Sequence, residues 1–251
     1  MKIAKSSPLY AQLLDTSNSW EIIPKINQFL ANGGCAGVYT VDDTPHVSGS
    51  RNHFHPSGDI GVCERFLYYA RTVELPTEPL DVGLIRIFKT GDVFHAMIQA
   101  WIKAIDPEAR IEESFEIGDL VRGRIDVIQG NGICVEIKSA SSYNYQRFVK
   151  EPKPQHVLQT AFYADVCKTD YGILLYVNKD TSEMKEFKID VMDLSEVYAS
   201  WLKVEYAVEH KNPSELEYGC QFGSVEFCKC PASRWCAEGR TIPDWGVFNI
   251  K

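Results

Sequence analysis

Residues Arg122 to Lys138 read RGRIDVIQGNGICVEIK, a stretch that sets the fold of the whole chain. Two runs rich in β-branched residues, Val121–Ile128 and Ile133–Lys138, predict strands on either side of Gly130, Asn131 and Gly132. A three-residue loop there predicts a hairpin, with glycine supplying the left-handed conformation. In that register Asp126 faces Glu136 and Arg124 faces Lys138. Alternation along a strand brings all four side chains onto one face. Two carboxylates and a lysine make a poor core, so two readings are open. One is a solvated surface hairpin, whose cross-strand charge pairs contribute only ~0.2–1 kcal/mol. The other is a site that holds a hard divalent cation beside a base.

The surroundings of the hairpin narrow the choice. At 251 residues and 45% apolar composition the chain has the size of one large domain or two small ones. No apolar run approaches the ~20 residues that cross a bilayer. The opening stretch MKIAKSSPLYAQLLDTSNSW lacks the apolar core of a signal peptide. A cytoplasmic protein is expected, with no membrane partner. A net charge of −8 argues against non-specific coating of nucleic acid, which needs Lys and Arg to neutralise phosphates. Local basic tracks remain at Arg122/Arg124, Arg147/Lys150/Lys153 and Lys203/Lys211, each equally readable as solvated surface.

Eight cysteines in a chain of this kind point to metal rather than to disulfides. Cys35, Cys134 and Cys167 are scattered, and the last two sit in apolar runs where a buried thiol is the ordinary outcome. Cys220, Cys228, Cys230 and Cys236 cluster near the end, and Cys63 stands far upstream in GVCERFLYYAR.

Along the chain, one helix is expected at Ile22 to Leu30, ended by Asn32-Gly33-Gly34. Thr40 to Pro56, with His46, His53 and His55, reads as loop. A helix capped by Ser57 or Asp59 is expected to run through Cys63 to about Arg71. Val93, Phe94, Met97, Ile98 and Trp101 recur at helical spacing over Asp92–Ile105. Strands are expected at Ile111–Ile117, in the hairpin, at Gly172–Val177 and at Met184–Ile189. Helices are expected at about Pro154–Val166 and Leu194–His210. That order predicts an α/β fold, a mixed sheet flanked by helices.

Three further features accompany the hairpin. His95 lies on the helix before it. Gln159 and Tyr163 in QHVLQTAFYADV stand four apart on one helix face after it. Cysteines bracket the unit from Cys63 to Cys236. The order G-x-h-H, then G-R-I-D, then E-I-K, then Q-x-x-x-Y resembles the PD-(D/E)xK nuclease superfamily. Within it, the pattern is most similar to the RecB-like branch of CRISPR-associated and phage-encoded exonucleases. The resemblance covers residues 55–240, with 1–54 an N-terminal extension of unassigned role and 241–251 a tail.

The resemblance implies a restriction-endonuclease-like sheet and a metal-dependent deoxyribonuclease acting on single-stranded DNA or DNA ends. The settings it implies are recombination, replication or CRISPR adaptation, with a protein partner from one of them, in a bacterial, archaeal or phage-infected cell. It implies that Asp126, Glu136, the main-chain carbonyl of Ile137 and His95 hold Mg2+ or Mn2+. A histidine ligand would favour Mn2+. Lys138 would position the attacking water and either take its proton or stabilise transition-state charge. The first of these requires a lowered pKa. Gln159 and Tyr163 would orient the DNA and the site. Cys63, opening a C-x-R helix start, would join Cys228, Cys230 and Cys236 in holding a [4Fe–4S] cluster. The usual C-x2-C-x5-C spacing is shortened here to C-x-C-x5-C, so Cys220 is the alternative to Cys228, and zinc on four thiolates is the alternative to the cluster.

Other residues have plainer readings. His95 is otherwise a core histidine and Tyr163 a core aromatic. Glu112, Glu113 and Glu116 read as mostly solvated, with one near a second metal. His156 lies three residues before Gln159, within reach of a phosphate.

Overall fold

The computed structural model describes residues 14–15, 22–34, 52–75 and 81–238. Cys35, His46, most of the 1–54 extension and the 241–251 tail lie outside the described residues.

A mixed sheet forms the centre. Its strands are β1 (Leu14–Asp15), β2 (Arg110–Ile117), β3 (Val121–Ile128), β4 (Cys134–Ala140), β5 (Tyr171–Asn178) and β6 (Met184–Asp190). The order is β1-β6-β5-β4-β3-β2. Among these six strands only β4 and β5 pair in parallel, register Val135↔Ile173 to Ala140↔Asn178. A parallel pair needs a crossover, supplied here by α5 (Ser142–Phe148) and α6 (Pro154–Cys167). The sequence pattern predicts α6 and misses α5, whose SYNYQRF buries only Tyr145 and so carries little periodic signal.

Helices cover both faces of the sheet. On one side lie α1 (Ile22–Ala31) and α4 (Val82–Ile105). Ile22, Ile26, Ile98 and Ile102 pack there against Val127, Val135, Ile137 and Ile173. The N-terminus of α1 is held by the buried Glu186 carboxylate, which accepts from the Ile22 and Ile23 N–H groups at 3.3 Å each. A carboxylate at that end also meets the positive pole of the helix dipole. On the other side lie α6 and α7 (Ser195–Glu209), with α3 (Glu64–Thr72) packed on α7. Trp201 of α7, fully buried, stacks on Phe54 with ring centres 5.3 Å apart. Phe54 itself bridges onto the edge of β3 at Val121. No helix among the described residues is long and apolar enough to cross a membrane.

Two predicted helices have different bounds. The helix expected from Ser57 through Cys63 is broken. A single turn, α2 (Pro56–Asp59), ends before Gly61 at φ +67°, and α3 starts afresh with Cys63 as its N-cap. The helix expected from Asp92 instead begins ten residues earlier, capped by Asp81, whose carboxylate accepts from Gly83 and Leu84. Its early turns are exposed, so they lack the one-sided apolar period that marks the later ones.

The densest crossing lies where β5 passes α6. A Cβ on Gly172 would stand 2.6 Å from Cys134 Sγ and 3.2 Å from the Thr160 carbonyl oxygen. Overpacking so tight a contact costs ~1–3 kcal/mol. Gly172→Ala should therefore lower the denaturant midpoint and reduce Tm by several degrees. An unchanged midpoint would show that β5 and α6 are not in contact as described.

Candidate active site

The hairpin forms as its residues predict, with a difference at its open end. The turn closes through Gln129 and Ile133, and Gly132 takes φ +90°. The β3–β4 ladder holds only at Ile128↔Cys134 and Val127↔Val135. Beyond that rung the strands separate. The next position on this register sets Asp126 opposite Glu136, and there a side chain replaces the ladder. Asp126 Oδ2 accepts from the Ile137 N–H at 2.7 Å. A buried N–H must find an acceptor, and here the carboxylate serves.

Arg124 does not face Lys138. It turns to β2, where its Nε lies 2.5 Å from Glu112 Oε2. Lys138 Nζ lies 2.5 Å from Glu136 Oε1. The other Glu136 oxygen, Oε2, is buried with no hydrogen-bond partner. His95 on α4 places Nδ1 3.6 Å from Asp126 Oδ2. Asp126, Glu136, Lys138 and His95 thus meet where the hairpin opens. Gln159 and Tyr163 do not reach solvent; both are buried, and the Gln159 amide donates to the Tyr163 hydroxyl at 3.1 Å. Burial, reinforced by the Glu136 charge, raises the Tyr163 phenol, so Tyr163 stays neutral.

The electrostatics follow from burial. It pushes Asp126 up to about 6, against the pull of Lys138 and the Ile137 N–H. Burial and the neighbouring Asp126 push Glu136 up to about 7. For Lys138 burial alone would lower the pKa, but Glu136 and Asp126 outweigh it and hold the ammonium above its ordinary value. In the metal-free protein these two neighbours favour the charged ammonium, which is the cationic of the two roles expected for Lys138. Burial lowers His95, leaving a neutral imidazole with a lone pair. His156, read from the sequence as able to approach a phosphate, is half-buried, lowered to about 3 by burial and by Lys138, with Nδ1 2.8 Å from the Tyr176 hydroxyl.

Two residues of this site carry no motif. Gln99, one turn after His95 on α4, donates to Glu112 Oε1 at 2.5 Å and to the Asp126 carbonyl at 3.2 Å. Glu112, opposite Asp126 on β2, has φ +54°, a left-handed conformation in mid-strand. Such strain persists only where surrounding contacts over-determine it, and Gln99 and Arg124 are those contacts. A polar residue four positions after His95, on its helix face, was the available signal for Gln99.

The donors suit a hard divalent cation: two carboxylates, one with an oxygen lacking any partner, and a neutral imidazole. Among the described residues no three His, Cys, Asp or Glu side chains already form an ion cage.

The cysteines come together in part. Cys63 Sγ accepts from the Gly219 N–H at 3.1 Å. A Cβ on Gly219 would meet Cys63 Cβ at 2.6 Å, so only glycine allows this approach. Burial pushes the Cys236 thiol up to about 12, reinforced by Cys63, Cys230 and Cys220. The sulfur set that acts on Cys236 therefore contains Cys220. Cys228 sits on α8 (Val225–Lys229), and Cys236 ends α9 (Ser233–Cys236). Crowded thiols that cannot ionise together without a cation are chemically suited to a metal–thiolate centre.

A mixed sheet flanked by helices, with this hairpin at its centre, is a restriction-endonuclease-like fold. An alkaline exonuclease from Laribacter hongkongensis shares it at a TM-score of 0.50 and 13% identity, over 64% of this chain and 90% of that one. The crystal structure of SSO0001 aligns at a TM-score of 0.47 and 19% identity, over 85% of this chain and 92% of that one. No protein-family model matches the chain, and no curated protein sequence matches it.

The raised carboxylates make the metal-free protein pH-sensitive. Their folded pKa values lie above the ordinary ones, so the stability they contribute is present below about pH 4 and is lost as pH rises through about 6 and 7. Metal-free wild type should show a falling Tm between pH 5 and pH 8, and Glu136→Gln a shallower fall. Added Mn2+ should raise Tm more at pH 8 than at pH 5, because protons compete for the same oxygens. A wild-type slope equal to that of Glu136→Gln would sever the link between this carboxylate and stability.

Proposed function

We propose that the chain is a metal-dependent DNA nuclease. The observation that carries this reading is the buried Asp126–Glu136 pair at the mouth of the split hairpin, one oxygen unpartnered, with the Lys138 ammonium against it. Asp126, Glu136, His95 and the Ile137 carbonyl would hold Mg2+ or Mn2+. Bound there, the ion would activate an attacking water and polarise the phosphate.

The chain's own residues do the rest. Lys138, kept protonated by its two carboxylate neighbours, faces developing negative charge on the phosphoryl oxygens. His95 stays neutral and so adds no repulsion toward a cation. Gln99 holds the Asp126 main chain and Glu112 together, fixing the carboxylate's approach. Gln159 and Tyr163 act as positioning residues under the site. The motif order supports an exonuclease on single strands or DNA ends, in recombination, replication or CRISPR adaptation.

The test uses anaerobically purified wild type and Lys138→Ala on linear DNA labelled at either end, and on circular single strands, with Mg2+ or Mn2+. Wild type should shorten linear DNA from an end, and Lys138→Ala should be slower by at least ~100-fold, the scale for losing one charge-stabilising group. Cutting of circles would assign a structure-selective endonuclease. No cleavage by wild type would leave a DNA- or partner-binding module, and equal cleavage by both proteins would move the site elsewhere.

We also propose a second centre, in which Cys63, Cys230 and Cys236 would hold an iron–sulfur cluster with a fourth thiolate. Motif order offers Cys228 for that place. We propose Cys220 for it, because its neighbour Gly219 lies against Cys63. Cys236→Ala and Cys220→Ser should each abolish the visible absorption of the cluster, while Cys228→Ser keeps it. The reverse pattern for the two serine variants would return the position to Cys228. A colourless wild type that contains zinc would replace the cluster with a zinc–thiolate site.

A further inference from the structure

The first turns of α4 stand out from the body of the protein. Residues 82–91 read VGLIRIFKTG, with Arg86 and Lys89 and no acid. Leu84, Ile85, Ile87 and Phe88 all remain exposed against the described residues, Phe88 at 53% and Ile87 at 51%. Large apolar side chains exposed together on successive turns are a feature of binding faces.

Its position ties it to the candidate site. Phe88, Asp92 and His95 follow one another at three- and four-residue steps, on one line of the helix. Two turns separate Phe88 from His95, a rise of ~10 Å. Gly91, between them, is tight against β4: a Cβ there would lie 3.0 Å from Ser139 Oγ, one residue past Lys138. Lys179 reaches the same segment, its Nζ donating to the Ile87 carbonyl at 3.2 Å. The exposed arm thus begins where the site ends. It is apolar, aromatic and cationic on a chain whose net charge is −8. Lys89 also lies 3.6 Å from Asp92, a surface pair that a phosphate can displace.

We infer that this arm binds the single-stranded nucleic acid adjoining the phosphate at the Asp126–Glu136 site. This rests on the nuclease reading and extends it. Phe88 offers a face on which one unpaired base stacks, and Arg86 and Lys89 take backbone phosphates. Interleaved aromatic and basic side chains are what unpaired strands require, because every base has a π-face and every linkage a charge. A duplex keeps its bases stacked and offers Phe88 nothing. A second copy of this chain fits less well. A two-fold interface sets a patch against itself, which here brings Arg86 and Lys89 toward their own copies, and interface cores are depleted of charge.

The experiment measures anisotropy of a fluorescent oligothymidylate with the full chain, its cluster intact and no added divalent cation, so that no cleavage is needed. Phe88→Ala should weaken binding by about 5- to 150-fold, the range for losing one stacked base. Arg86→Ala with Lys89→Ala should reduce the slope of log affinity against log salt by about 1.4, the value for two lost phosphate contacts on a single strand. Light scattering on the same samples reports the oligomeric state. Unchanged affinity of Phe88→Ala overturns the inference, as does a wild-type dimer that Phe88→Ala converts to monomer with its DNA affinity intact. Wild type that binds through Phe88 but cleaves nothing under any metal defeats the nuclease reading and leaves the arm standing. Wild type that cleaves while Phe88→Ala binds equally well defeats the arm alone, and wild type that binds no oligothymidylate defeats it as well.

Discussion

The bond from the Ile137 N–H to the Asp126 carboxylate is the constraint on which the rest of the site depends. Two antiparallel strands joined by a tight turn would ordinarily stay paired to their ends. Here pairing stops at Val127↔Val135, and the first main-chain donor beyond it is met by a side chain. The strands can part without orphaning a buried N–H. Once parted, they leave room between them for charged groups. Gln99 braces the other side of the opening by bonding the Asp126 carbonyl, so the carboxylate is fixed through both its main chain and its head.

The same constraint explains the electrostatics. Carboxylates drawn into the mouth of a sheet lose hydration, and Asp126 makes ionisation of Glu136 harder still. One lysine and a neutral histidine do not relieve them, and one Glu136 oxygen meets no donor. The pair thus remains short of positive charge on the side where the Glu136 oxygen meets no donor. Glu112 shows how firmly the neighbourhood is specified. Its left-handed backbone is tolerated because the side chain is gripped by Gln99 on one oxygen and Arg124 on the other.

Much of this was legible in the sequence, for identifiable reasons. The hairpin was readable because a Gly-Asn-Gly turn between β-branched runs allows few alternatives, and its register set Asp126 opposite Glu136. The mixed sheet followed from the alternation of strands and helices. What escaped was set by tertiary contact. Arg124 leaves the hairpin for Glu112 because the ladder ends, and no local pattern encodes that ending. Gln99 looked like any polar residue on a helix. Lys138 was readable as a base or as a cation, and only its neighbours decide. The early turns of α4 carry no one-sided period because they are not packed on the sheet. The motif order pointed to Cys228 with Cys220 as the alternative, and the approach of Gly219 to Cys63 is a tertiary contact that no spacing encodes.

That approach belongs to a larger clasp. Arg65 donates to the Leu216 carbonyl at 3.1 Å, pairs with Glu238 and lies over the Tyr218 ring, while the Glu217 N–H donates to Glu64 at 3.0 Å. None of these bonds involves a metal. Small zinc modules are unfolded until their ion arrives, because nothing else holds the ligands together. Here two segments some 150 residues apart in sequence are already joined by hydrogen bonds and one ion pair. The junction between α3 and residues 216–238 is therefore made by protein groups alone, with Arg65 gripping a carbonyl, a carboxylate and a ring at once.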